Sequence, residues 1–331
     1  MMDHAVRNKA SELLQSYRVT LLIITGINIG IFDNIEGKRL DEILSLYSHV
    51  KPEVIIDIIT SLVEHGLIEK GDENNTEYTV SPAGRMFSSG GQLRDLAKLI
   101  DELYIDAWRA LPKVLNTREV AFQKVHGKKF WDYLNNDFYL SKSFNNCMSS
   151  NLNSEVISLL NNIKINNNDV VVDVGAGGGD SVIELSKKYT KNEFIAVEQK
   201  LQHSALTKQV NGIKNISVFE GDMFGNLPAN KNIYIYQSVL HNWESEYIIK
   251  TLNYLECITE KNARIFIIER NCRKESTKNT LSDLEMYVLF GSLEYSEEDL
   301  LQIIKNTKWS YYSSVKNSAF YMIEMRKVRH D

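Results

Sequence analysis

The stretch "VVVDVGAGGGDSVIEL", residues 170–185, reads as a strand, a glycine turn and a helix. Gly175 and Gly177 permit a tight turn and let a ligand approach the backbone closely. The dinucleotide fingerprint G-x-G-x-x-G would place glycine at 180. This chain has Asp180, and its spacing is instead Asp173-x-Gly175-x-Gly177-x-Gly179. A glycine turn alone is a weak signal, so its surroundings decide the reading.

Downstream, strands and helices alternate. "FIAVE" (194–198), "ISVFE" (216–220), "NIYIYQS" (232–238) and "ARIFIIE" (263–269) read as strands, with helical stretches between most of them. Such alternation predicts a parallel sheet covered by helices, the Rossmann-like doubly wound α/β class. "KWSYYSSVKNSAFYMIEMR" (308–326) adds two more strands, antiparallel to each other. Two acids reinforce the glycine turn. Glu198 ends the second strand, 23 residues after Gly175, where a carboxylate can accept both hydroxyls of a ribose. Asp222 follows the third strand in "EGDMF", placed for an adenine amino group with Met223 and Phe224 against the ring. In a doubly wound sheet these strand ends face one crevice. Singly each acid reads as a solvated loop residue; jointly they indicate an adenosine-bearing ligand.

Upstream, the asparagine-rich "NNIKINNND" (161–169) marks a boundary, so residues 161–331 form the catalytic segment. Residues 96–160 read as all-helical and rich in aromatics, among them Tyr104, Trp108, Trp131 and Phe144. Such a stripe serves as core, or as a bridge whose one side lines a pocket for a flat ligand. Residues 1–95 begin with helical periodicity to "GINIGIFD" (26–33), then "LDEILSLYS", then "KPEVIIDIITSLVEHGLIEK". Val54, Ile55, Ile58, Ile59, Leu62 and Val63 recur at helical spacing, Pro52 suits the first turn and Gly66 the C-terminal end. "GLIEK" and "EYTVS" flank a polar turn as a β-hairpin, which completes a winged-helix pattern.

A winged helix invites a DNA-binding reading. Between Arg39 and Lys70, however, three basic residues face six acidic ones, and the whole chain carries −5. Phosphate neutralisation supplies most nucleic-acid affinity, so the charge argues against that partner and favours a packing or dimerisation module. The apolar segment Val19 to Phe32 is broken by Thr25, Gly26 and Asn28 and is too short to span a bilayer. "MMDHAVRNKA" has no apolar signal core, and Cys147, Cys257 and Cys272 lack metal-type spacing. Each cysteine reads as a small buried hydrophobe in a reducing compartment, and the location as cytoplasmic.

"YQSVLHNWESE" (236–246) places an imidazole where an apolar strand ends. His241 is there either as a core histidine satisfied by a backbone carbonyl or as a general base at a cofactor site. "DVGAGGG" (173–179), "GDMF" (221–224) and "LHNW" (240–243) together resemble the S-adenosylmethionine-dependent O-methyltransferases of the caffeate and hydroxyindole type, with their bacterial natural-product relatives. The likeness covers nearly the whole chain. "GINIGIFD" resembles that family's dimerisation segment, and "HGKKFWDYL…FNNCM" (126–148) its pocket-lining helices. "SDLEMYVLFGSLEYSEEDL" (282–300) resembles its acidic stretch before the closing helix.

The resemblance implies a class I methyltransferase fold, S-adenosyl-L-methionine as cofactor, S-adenosyl-L-homocysteine as product, and a homodimer through the N-terminal domain. It implies His241 as general base, flanked by Glu269 and Glu294. Asp173, Gly175, Gly177, Glu198, Asp222, Met223, Phe224, Gln237 and Ser238 are the expected cofactor contacts. Phe144, Met148, Trp243 and Met286 are the expected acceptor contacts. Asn242 stands where the family usually has aspartate, and Gln237 where many members have a basic residue near the adenine.

The implied mechanism is an in-line displacement. A phenol has a pKa of about 10 and an imidazole about 6.5, so neutral His241 can take the proton as the bond forms. Glu269, ending an adjacent strand, is the expected orienting carboxylate, and no metal is required. The acceptor reads as a small, flat, hydroxylated molecule. Two other readings stay open: a cofactor-binding enzyme that performs a cyclisation or decarboxylation, and a winged-helix regulator that senses a ligand.

Overall fold

The computed structural model describes residues 2–72, 76–117, 119–149, 154–271 and 280–327. The chain divides into two compact units, Met1–Glu102 and Leu103–Asp331.

In the first unit, helices Tyr17–Asn28 and Ile31–Asn34 meet at Gly30, whose φ of +75° turns the chain between them. Gly26 lets the Phe32 ring approach, since a Cβ there would lie 2.8 Å from it. Helix Leu40–Leu46 follows, then Pro52–Glu64, which starts on the proline and buries Ile55, Ile59 and Leu62. Val54 stays exposed, so the apolar stripe is narrower than its periodicity suggested. Gly66, at φ +69°, ends the helix by donating to the Val63 carbonyl. Strands β1 (Ile68–Lys70) and β2 (Tyr78–Val80) pair antiparallel, as the hairpin reading requires.

The second unit opens with short helices and then builds a seven-stranded sheet. Its strands are β3 (Val170–Val174), β4 (Glu193–Glu198), β5 (Ile216–Glu220), β6 (Ile233–Gln237), β7 (Arg264–Arg270), β8 (Trp309–Lys316) and β9 (Phe320–Lys327). The order is β5-β4-β3-β6-β7-β9-β8. The first five are parallel, and β9 is antiparallel to both β7 and β8. Val172, Tyr234 and Ile265 pack on one face, Val171, Ile233 and Phe266 on the other. A sheet buried on both faces explains why its strands read as unbroken apolar runs. The chain leaves β3 toward β4 on one side and returns to β6 on the other. That reversal opens a crevice at the carboxyl ends of these strands.

The cysteines depart from expectation. Cys147 is half-buried and Cys257 exposed, neither in a disulfide, and Cys272 lies outside the described residues. Cys257 sits on the outer face of helix Ser245–Ile258, whose inner face is taken by Ile248, Leu252 and Leu255.

Candidate active site

Strand order distributes the chemistry. Asp173 and Glu198 lie on β3 and β4 and Asp222 just after β5, while His241 follows β6 and Glu269 lies on β7. At ~4.8 Å per strand, the crevice has an acidic half and a histidine half roughly 10 Å apart. One cavity of about 340 Å³ is lined by residues of both.

In the acidic half, Gly175 and Ala176 both donate to the Val197 carbonyl at 3.0 Å, tying the turn to β4. Gly175, Gly177 and Gly179 have φ of +73°, +56° and +79°. A Cβ at Gly175 would meet Val239 at 2.9 Å and one at Gly179 would meet Leu206 at 2.7 Å, whereas Gly177 faces open space. Two glycines therefore serve packing, and the third leaves room in the cavity. Glu198 accepts from the Gln199 N–H at 3.0 Å and from the Gly177 N–H. Burial pushes Asp173 and Glu198 up to about 7, the charges of Glu198 and Asp180 adding to the effect on Asp173. Buried carboxylates without a cation are poised for ligand hydroxyls or a positive group.

Asp222 accepts from the Phe224 N–H at 2.7 Å, which fixes the turn carrying Met223 and Phe224. Trp243 packs edge-on against Phe224, ring centres 4.6 Å apart, at this end of the cavity. Gln237 accepts a hydrogen bond from the Ser181 hydroxyl, joining β6 to the helix after the glycine turn. Ser238 holds φ +53°, a left-handed conformation that costs a non-glycine residue energy and recurs at functional turns.

In the other half, His241 lies in the single turn Leu240–Asn242. The fully buried Glu269 accepts through Oε1 from the N–H groups of Val239, Leu240 and His241 at 3.2, 2.9 and 3.4 Å. Its Oε2 lies 3.2 Å from His241 Nδ1, but the hydrogen bond from Nδ1 goes to Glu294 Oε2 at 3.0 Å. Glu294, not Glu269, is thus the hydrogen-bonded partner of the ring. Glu269 meanwhile caps the turn through Oε1. Ser292 donates to the His241 carbonyl at 2.6 Å and Tyr295 to the Trp243 carbonyl at 2.9 Å, so segment 292–295 clasps the turn.

Burial alone would lower the histidine's pKa, but the charges of Glu269 and Glu294 raise it above the ordinary value. Burial pushes Glu269 up to about 7, against the pull of His241. With Nδ1 committed to carboxylates, Nε2 is the nitrogen left to accept a proton. The three side chains also offer ligand atoms within 4.8 Å of one another, the one such trio among the described residues.

Asn242 donates to the Val239 carbonyl at 3.3 Å, so its amide closes the histidine turn, while the next helix has Glu244 at its N-cap with no side-chain hydrogen bond. Phe144, Met148 and Met286 all line the cavity, as expected. Tyr104 and Trp131 of the aromatic stripe line it too, and sequence reasoning missed Gln202, Arg270, Glu285 and Phe290, which also line it. Glu285 had a signal: it is an acid inside the apolar run "LEMYVLF". His126 does not enter the cavity lining; it ends helix Ala121–His126 with Nε2 3.2 Å from the Leu103 carbonyl.

A family model described as an O-methyltransferase domain matches residues 108–310. The chain is 24% identical to a myricetin O-methyltransferase of Catharanthus roseus, covering 85% of this chain and 87% of that protein. It is 26% identical to a cephaeline 6'-O-methyltransferase of Carapichea ipecacuanha, covering 92% and 91%. The solved mitomycin 7-O-methyltransferase superposes with a TM-score of 0.88 at 16% identity, over 99% of both chains. An O-methyltransferase from neocarzinostatin biosynthesis, solved with S-adenosyl-L-homocysteine and 1,4-dihydroxy-2-naphthoic acid, gives 0.78 at 21% identity, over 94% and 96%. At these identities the two structures share the fold with this chain.

Proposed function

Since the chain belongs to the O-methyltransferase family and works with S-adenosylmethionine, we propose that it methylates a hydroxyl of a small aromatic secondary metabolite, with His241 as the general base. The observation that carries this reading is a histidine whose Nδ1 is held by two carboxylates, in the same cavity as the glycine turn and its acids.

The residues present fit the cofactor. Gly177 leaves space where any side chain would intrude, and the buried carboxylates of Asp173 and Glu198 have no cation against them among the described residues. Glu198 would hold the ribose hydroxyls, and Asp222 with Met223 and Phe224 the adenine. Gln237 and Ser238 border the same space. S-adenosylmethionine, when bound, supplies an electrophilic methyl group on a sulfonium. The protein's own work is to align the acceptor, exclude water and move one proton. Alignment accounts for a large share of such rate enhancements. Phe144, Met148 and Met286 would hold the acceptor ring, and Nε2 of His241 would take the hydroxyl proton while Glu294 and Glu269 stabilise the imidazolium. Trp243 would support the pocket through Phe224.

The same proposal assigns residues 1–95 to a dimerisation module and 96–160 to the helical bridge beside the acceptor, in a cytoplasmic protein whose Cys147 and Cys257, outside any disulfide, suit a reducing compartment. No helix among the described residues is long and apolar enough to cross a membrane.

Incubation with methyl-labelled S-adenosylmethionine and a panel of phenols tests the reaction. Label in the phenol ether and one S-adenosylhomocysteine per product are expected. A product without the label, formed with no S-adenosylhomocysteine, would replace methyl transfer by a cyclisation or decarboxylation.

A further inference from the structure

Glu285 is a cavity carboxylate that neither the cofactor nor His241 requires. It lies in helix Thr280–Phe290 and lines the cavity among Tyr104, Trp131, Phe144, Met286 and Phe290. Trp131 stacks on Phe290 with ring centres 5.7 Å apart and meets Phe144 edge-on at 5.4 Å. The carboxylate shares its cavity with these rings and has Trp108 and Tyr104 as neighbours. Burial raises the Glu285 pKa against a hydrogen bond from Trp108, and burial, then the charge of Glu285, raises that of the Tyr104 hydroxyl. The His241 ring has its carboxylates in Glu269 and Glu294. Among the described residues that line the cavity, six acids face one guanidinium, that of Arg270.

A carboxylate set among aromatic faces is a poor place for a carbonyl or another acid. It suits a positively charged nitrogen, which gains a counter-ion and ring faces in one site. A neutral hydroxyl would gain only a hydrogen bond. We propose that Glu285 selects acceptors that carry a basic nitrogen, so that the substrate is a phenol-type hydroxyl on an amine-containing scaffold. This rests on the O-methyltransferase reading, because the hydroxyl at His241 and the nitrogen at Glu285 must belong to one molecule.

Binding to the full chain loaded with S-adenosylhomocysteine is measured by calorimetry. The probes are tyramine against 4-ethylphenol, and 6-hydroxytetrahydroisoquinoline against 6-hydroxytetralin; each pair shares the phenol and differs in the nitrogen. The parent is expected to bind the amine of at least one pair ~10-fold tighter or more, which is about 1.4 kcal/mol. Glu285→Gln keeps shape and hydrogen-bonding capacity but not charge. It should erase that preference while leaving carbon-analogue and S-adenosylhomocysteine affinities within about twofold. Glu285→Asp, which keeps the charge, should retain a reduced preference. Equal binding of amine and carbon partners by the parent, or a preference that survives Glu285→Gln, overturns the proposal. Loss of preference in both variants would assign it to shape, which overturns it too. Methyl transfer is read separately. Preferred amine binding with no labelled methyl on any phenol would sink the methyltransferase reading and leave the nitrogen site, whereas methylation without amine preference would sink only the Glu285 site.

Discussion

His241 has one ring nitrogen fixed by carboxylates and one left for chemistry, so its removal should affect turnover and not cofactor binding. His241→Ala is expected to lower turnover of a high-pKa phenol by ~10²–10⁴-fold, with S-adenosylhomocysteine affinity by calorimetry unchanged. Survival of turnover would return the residue to a packing role. The pH dependence has a definite sign. Only neutral imidazole accepts a proton, and the two glutamates raise its pKa, so the rate should climb with pH through a midpoint above the ordinary ~6.5 and then level off. Glu294→Gln removes one of the charges that favour the imidazolium. Its midpoint should move to lower pH, and its plateau should fall because the imidazolium loses a stabilising charge at its hydrogen-bonded partner. A midpoint that stayed in place would detach Glu294 from the base. The three residues were legible in the sequence through resemblance, but their division of labour was not. Glu269 Oε1 caps three backbone N–H groups while the ring's hydrogen bond goes to Glu294, and both are facts of turn geometry. Glu285 escaped for a related reason: an acid on a helix reads as solvated until the fold shows which face it occupies.

The glycine turn separates folding from ligand binding at the scale of one element. An alanine at Gly177 would meet no atom within 4 Å and would suffer only from φ +56°, a penalty of ~1–2 kcal/mol. An alanine at Gly175 would add a 2.9 Å contact with Val239 to a similar φ. Gly177→Ala is therefore expected to fold, with a melting temperature above that of Gly175→Ala. It should nevertheless bind S-adenosylhomocysteine at least ~10-fold more weakly, since the methyl group takes up ligand space. Parent-like affinity in Gly177→Ala, measured by calorimetry, would move the cofactor off this turn. The same element shows what sequence can carry. Strand, turn and helix were readable because a sheet buried on both faces writes continuous apolar runs and because three left-handed positions call for glycine. Ser238, also left-handed at φ +53°, was not readable, because nothing in a serine announces that backbone. Strand order was equally hidden: alternation implies parallel strands, but only packing sets β3 between β4 and β6.

For the whole molecule, the sequence divides the chain at residues 95 and 160, whereas the structure shows two compact units that meet at Glu102 and Leu103. Asparagine-rich composition marks a turn as readily as a domain edge, and "NNIKINNND" joins helix Ser154–Leu160 to β3 inside one unit. Assembly is the property that the first unit leaves to be tested. Its helix Met2–Gln15 runs over the surface with Val6, Leu13 and Leu14 exposed at 62%, 68% and 79%, and Tyr17 beyond it at 57%. A helix with so little of its apolar side covered gains most from a second copy, and twofold pairing is the default for such surfaces. Light scattering on the full chain should give the mass of two chains. Leu13→Glu combined with Leu14→Glu puts two charges on the exposed face without touching the buried Ile24, Ile27 and Phe32 of the same unit. That variant should keep the parent's melting behaviour within a few degrees if the unit folds independently of pairing, yet scatter as one chain at micromolar concentration. A parent that scatters as one chain would remove the dimer. A variant that stays paired would place the contact away from this helix, and the exposed leucines would then need another partner.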